Sequence, residues 1–215
     1  MEKTKFKEKL RQKFLSYKPD FDLKVLEKGI DKFQLMECKA GSLIAKKGEK
    51  CQKIFIAEKS ITRCYCVDEK GNEKSMWIEP EMSLLTEFYT FKTGEISNVD
   101  IHLYEDSMVY FIEREDLLNL YLAYHDWCII GVLILEEILQ YTMKLSHMLH
   151  FNDATENYKL IESDYLRYLH VVPLKHIASR LNISPVHLSR IRAKQYDKTR
   201  CAFRNIGKKI VHLIK

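Results

Sequence analysis

With 215 residues, 46% hydrophobic and 30% charged, the chain has the composition of a globular protein with one large domain or two modest ones. Seven Gly and four Pro exclude a low-complexity chain, and six scattered cysteines with no CxxC pair exclude a disulfide framework or zinc site. The net charge of +5 conceals a split: 11 Lys/Arg against one acid (Asp197) from Leu174 onward, but 24 basic and 29 acidic side chains in residues 1–173.

Residues 5–36 read as helical. Phe6, Leu10 and Phe14 recur at i, i+4, i+8, and Leu23, Leu26, Ile30 and Phe33 form a second stripe after the break at Pro19-Asp20. From there to Ile112 the texture is one of short β-type runs: 54–57, 61–67, 74–78, 99–103 and 108–112. Asp68-Glu-Lys-Gly71-Asn is a hairpin turn in which Gly71 supplies the positive φ. Evenly spaced short strands imply an antiparallel sandwich or barrel.

One long helix follows, Arg114 to His150. Trp127, Gly131, Ile134, Ile138, Tyr141, Leu145 and Met148 are spaced as an a/d ladder over three heptads, beside a second stripe of Cys128, Val132, Leu135 and Leu139. Two apolar faces suit one stripe packed on the β-domain and the other on a partner helix. We assign the homodimer seam to Trp127, Ile134, Ile138, Tyr141, Leu145 and Met148. Phe151-Asn152-Asp153 ends the pattern and marks the expected hinge, with Asp153 or Thr155 capping the next helix.

Residues 172–193 carry the clearest signal. Leu174, Ile177, Ala178 and Leu181 make the inner face of a two-turn helix, and Ala178 is small where a second helix must cross closely. Asn182 suits a left-handed residue closing that helix. Ser184-Pro185 is an N-cap followed by Pro at the first helical position, and Leu188 and Ile191 then face inward. This is the pattern of a helix-turn-helix. Its recognition helix presents Ser184, His187, Ser189 and Arg190, with Arg190 placed to bond guanine in a major groove. Lys175, Arg180, Arg192 and Lys194 are assigned to phosphates. The charge split agrees, since a strongly basic end seeks a polyanion.

The segment VPLKHIASRLNISPVHLSRIRAK resembles the Crp/Fnr transcription regulators, especially their Bacteroidetes-type branch. Further matches are CKAGSLIAKKGE at 38–49 (first strands and turn), 54–67 with DEKGNE (central hairpin) and SNVDIHLYEDSMVYFI at 97–112 (closing strands). The resemblance implies an α+β chain. It has an N-terminal antiparallel β-roll (a jelly roll) over 1–115 that senses an effector, a dimerisation helix over 116–150, and a mainly α, winged helix-turn-helix domain over 151–215. It also implies double-stranded DNA, a second copy of the chain and RNA polymerase as partners, no cofactor and a cytoplasmic location.

Departures from the family pattern fall on the effector pocket. A Gly-Glu-Leu step stands here as Thr86-Glu87-Phe88, and Arg-Ser/Thr-Ala as Ser97-Asn98-Val99. The pocket residues are thus Glu87, Ser97 and Asn98, and the cation that would pair with a cyclic phosphate is gone. An anion in a partly dry pocket needs such a partner, so cyclic AMP is not the expected ligand and any small-molecule effector is unidentified. Ser60 and Glu81 replace turn glycines, Asn157 replaces an Arg, and Val186 replaces a Glu in the recognition helix.

No catalytic pattern emerges: there is no Gly-rich phosphate loop, GxSxG or HExxH. Cys64 and Cys66 share one face of a strand and suit packing on the roll. His147 and His150, at helical i, i+3, lack further ligands in sequence. The longest apolar run, Cys128–Leu135, is too short for a bilayer, and Met1–Lys13 has no apolar signal core. The rival to DNA binding is the tail Arg200–Lys215, whose mixed apolar and basic residues also suit an anionic membrane or a partner protein.

Overall fold

A computed structural model describes residues 2–164 and 167–194, and the chain divides into two compact units between His150 and Phe151. The expected wing and the tail Arg200–Lys215 fall outside the described residues.

In the first unit, helices α1 (Glu2–Tyr17) and α2 (Leu23–Ile30) precede eight strands. These are β1 (Gln34–Cys38), β2 (Leu43–Ala45), β3 (Lys53–Ala57), β4 (Thr62–Val67), β5 (Glu73–Glu79), β6 (Leu84–Leu85), β7 (Asp100–Leu103) and β8 (Ser107–Glu113), with a short helix α3 (Phe88–Thr93) between β6 and β7. They form two antiparallel four-stranded sheets, ordered β1-β8-β3-β6 and β2-β7-β4-β5. The expected antiparallel β-roll is therefore present. The expected helix over 5–36 overshoots, because Gln34–Met36 already pair with Val109–Phe111 as the first strand.

Strand alternation explains how two cores share the first sheet. On β3 and β8, Phe55, Ala57, Val109 and Phe111 point between the sheets, where they meet Cys64, Ile101 and Leu103. The intervening Ile56, Tyr110 and Ile112 point outward onto Phe6, Leu10, Phe14, Leu26 and Trp127. The first sheet is buried on both faces by β-branched and aromatic residues, which is why its strands read as continuous apolar runs.

The expected single helix over 114–150 is broken. Helix α4 (Arg114–Ala123) stops at Tyr124, whose φ of −137° and ψ of 116° are extended, and α5 (His125–Phe151) resumes at once. The break lets α5 fold back across α4, because Gly131 lies against Tyr121: a Cβ there would sit 2.7 Å from the phenol oxygen. Gly29 admits Trp127 in the same way, and a Cβ there would stand 1.9 Å from the indole ring. Trp127 is 1% exposed, sets its edge against Phe14 and Phe21, and donates from Nε1 to the Val25 carbonyl at 3.0 Å.

That packing corrects the seam assignment for Trp127, which is a core residue of its own chain and has no surface to offer a second copy. Of the other residues assigned to the seam, Met148 is buried, while Ile134, Ile138, Tyr141 and Leu145 are half-buried. The stripe that α5 leaves outward is the second one. Cys128 is exposed, as are Val132 (48%), Leu135 (55%), Leu139 (62%) and Met143 (63%).

The second unit holds α6 (Ala154–Asp164), α7 (Tyr168–Val171), α8 (Leu174–Arg180) and a helix α9 over 185–194. Asp153 caps α6, its Oδ1 accepting from the amides of Thr155 (2.7 Å) and Glu156 (2.9 Å). The Glu156 carboxylate accepts in turn from the Asp153 amide, completing a capping box. These amide donors hold the Asp153 carboxyl below its ordinary range.

Candidate nucleic-acid interface and sensor pocket

The joint between α8 and α9 is built as its sequence suggests. Asn182 adopts φ +54°, and the amide of Ile183 reaches back to the Ala178 carbonyl at 3.0 Å, closing α8 with a left-handed turn. Ser184 then caps α9: its Oγ accepts from the amide of His187 at 3.1 Å, and its carbonyl accepts from Leu188. Ile177, Ala178, Leu181, Leu188 and Ile191 are all buried, so the inward faces of the two helices interlock around the small Ala178.

On the outward side Ser184, His187, Ser189, Arg190, Arg192 and Lys194 are exposed, and so is Lys175 on α8. Among the described residues, no ion pair engages Lys175, Arg190, Arg192 or Lys194. Arg180 is a correction. It is 7% exposed at the last turn of α8, where the helix rotation that buries Ile177 and Leu181 also carries position 180 inward, and it has no free surface for a phosphate.

In the roll, the three residues assigned to the effector pocket have separate tasks. Glu87 caps α3, its two carboxylate oxygens accepting from the amides of Tyr89 (3.0 Å) and Thr90 (2.7 Å). Ser97 is 1% exposed, and its hydroxyl is spent on Val99, donating to the carbonyl and accepting from the amide. Its backbone ties the β2–β3 turn through Gly48 and Glu49. Asn98 is exposed. None of the three contributes a cation. Ser60, in place of a turn glycine, is fully buried and binds the amides of Tyr104 and Glu105 through its Oγ, so the hydroxyl does work a glycine cannot.

A polar cluster that the sequence reading missed lies on the outer face of the second sheet. Arg63 on β4 is 1% exposed; its Nε donates to Ser75 Oγ at 2.8 Å, its Nη1 to Glu73 at 2.5 Å, and its guanidinium lies 4.4 Å from the Tyr65 ring. His102 on β7 pairs with it and meets the Tyr104 ring edge-on. The signal was available: Cys64 and Cys66 mark the inner face, so Arg63 and Tyr65 must occupy the outer one.

No protein-family model matches the chain, and no curated protein sequence does either. Solved structures do match. FixK2 from Bradyrhizobium japonicum superposes with a TM-score of 0.67 at 12% identity, covering 78% of this chain and 86% of that one. CLP, a c-di-GMP-responsive global regulator of Xanthomonas campestris, gives 0.64 at 14% identity, over 83% and 93% of the two chains. A Crp/Fnr-family chain from Eubacterium rectale gives 0.61 at 15% identity, over 85% and 88%. The fold is therefore that of the Crp/Fnr regulators: a cyclic-nucleotide-binding-like β-roll followed by a helical domain. At these identities the likeness establishes the fold alone. No described helix is long and apolar enough to cross a membrane.

Proposed function

We propose that this chain is a sequence-specific DNA-binding transcription regulator of the Crp/Fnr type, not an enzyme. It works in the cytoplasm as a homodimer on a palindromic site and acts through RNA polymerase. Residues 1–115 form the sensor domain, 116–150 the dimerisation segment and 151–215 the DNA-binding domain. The observation that carries this reading is α9: a helix capped by Ser184, set by the left-handed Asn182 turn, and showing only polar, small or basic side chains outward apart from Val186. In this role Arg190 reads a base, with Ser184, His187 and Ser189 beside it, while Lys175, Arg192 and Lys194 hold phosphates. The dimer forms along the outward stripe of α5, where Cys128, Val132, Leu135 and Leu139 keep the 4-3-4 spacing of a coiled-coil seam. Cyclic AMP is not its effector, because Glu87 is occupied by its cap and Ser97 by its own strand.

The test is selection of random duplex DNA by the purified chain and by Arg190→Ala, each at two salt concentrations. An enriched palindrome is expected, and the variant should lose about 1–3 kcal/mol of discrimination at one position per half-site. Salt-sensitive binding without a motif, indifferent to Arg190, would show that the basic end recognises charge alone and would move the reading to an anionic membrane or a protein partner.

A further inference from the structure

Two buried polar atoms on neighbouring strands lack a hydrogen-bond partner: Nη2 of Arg63 on β4 and Nδ1 of His102 on β7. Arg63 Nη2 can only donate, and Nδ1 donates in one tautomer or when the imidazole is charged. Buried donors left unpaired are costly, and they mark a place for an acceptor. The acceptors beside Arg63 are engaged by its other nitrogens, Ser75 by Nε and Glu73 by Nη1, and the Tyr65 ring covers the guanidinium.

We propose that Arg63 and His102 form an oxyanion site on the outer face of the second sheet, taking a carboxylate or phosphate group of a small molecule. The site lies across β4 from the pocket residues Glu87 and Ser97, because Arg63 alternates with the inward Cys64. It supplies the buried cation that the pocket has lost. Glu73 keeps Nη1, so the ligand takes the unpaired Nη2.

Charge balance then fixes a pH dependence. With Glu73 still paired, an added anion leaves the cluster one negative charge in excess, and protonation of His102 restores neutrality. In the empty site burial first, and then Arg63, keep His102 neutral below its ordinary 6.5, with Glu73 opposing. Oxyanion binding therefore takes up a proton, and affinity rises by up to about tenfold for each unit the pH is lowered. This does not depend on whether the chain binds DNA, and the test contains none.

The experiment is thermal unfolding and calorimetric titration of the full chain with inorganic phosphate and, separately, succinate, against chloride at matched ionic strength. A saturable rise in Tm with either probe, stronger in mildly acidic buffer, is expected. Phosphate alone would indicate a phosphorylated ligand and succinate alone a carboxylic acid. Arg63→Met should abolish the rise. His102→Asn, which keeps the fold should Arg63→Met not, should retain weaker binding without its pH dependence. No rise with either probe, an equal rise in Arg63→Met, or an unchanged pH profile in His102→Asn would overturn the proposal and assign the orphan donors to ordered water.

Discussion

At the scale of single residues, the tightest constraints are glycines that make room for aromatic rings. Gly29 faces the Trp127 indole so closely that a methyl group cannot be added without displacing it, and Trp127 ties α1, the α1–α2 connection and α2 to α5 through Phe14, Phe21 and the Val25 carbonyl. Gly29→Ala is therefore expected to cost about 1–3 kcal/mol or more from overpacking, with a shift in tryptophan emission. A urea midpoint equal to wild type would mean that the indole is not where the fold places it. His102 gives a second expectation. Its folded-state pKa is depressed, so the unfolded chain binds the extra proton first. Its stabilising contribution is whole above the ordinary value of 6.5 and is lost as pH falls from there through the depressed folded value. In a chloride buffer free of oxyanions, His102→Asn should flatten that acid limb of the stability profile, measured by denaturant unfolding across pH; an unchanged limb would assign the loss to other groups.

At the scale of elements, the helix-turn-helix was readable residue by residue, because every device in it is local. A small residue at the crossing, Asn at the left-handed position and Ser before Pro each act within four residues of themselves. The hairpin at Gly71 was legible for the same reason. Helix α5 was legible in kind but not in orientation. Two stripes at heptad spacing are equivalent on paper, and only the tertiary contact of Trp127 decides which of them faces inward. The strand β1 was lost because Phe33 extended an apparent helical stripe, although its pairing with β8 outweighs that local pattern. Arg180 was misplaced because a basic residue in a basic segment looks outward until the helix phase is known. The corrected phase makes the dimer test specific. Leu135→Glu with Leu139→Glu should give a folded monomer in sedimentation with near-native Tm, since both side chains are exposed in one chain. Ile134→Glu should instead destabilise the first unit, because Ile134 packs on its core. The opposite pattern would return the seam to the first stripe.

At the scale of the whole molecule, charge and symmetry act together. The basic residues are concentrated from Leu174 onward, while the proposed seam lies on α5 in the other unit, so one copy of the chain brings one basic head and the proposed dimer brings two. Counterion release makes the logarithm of the DNA binding constant fall with the logarithm of salt, at a slope of about −0.9 per phosphate neutralised. A symmetric dimer on a palindrome neutralises twice the phosphates of a single head, so its slope should be about twice as steep. The Leu135→Glu, Leu139→Glu chain leaves every DNA-facing residue in place, yet it should bind the same duplex with roughly half the wild-type slope and lose preference for a second half-site. Lys194→Ala in the dimer should lower the slope by roughly two, one for each head, and weaken binding alike on matched and unmatched DNA. Arg190→Ala should do the reverse, sparing most of the slope and losing the sequence preference. If the charge-reversed seam leaves the slope unchanged, the heads do not bind as a pair, and the palindrome expected from the fold is not what this chain reads.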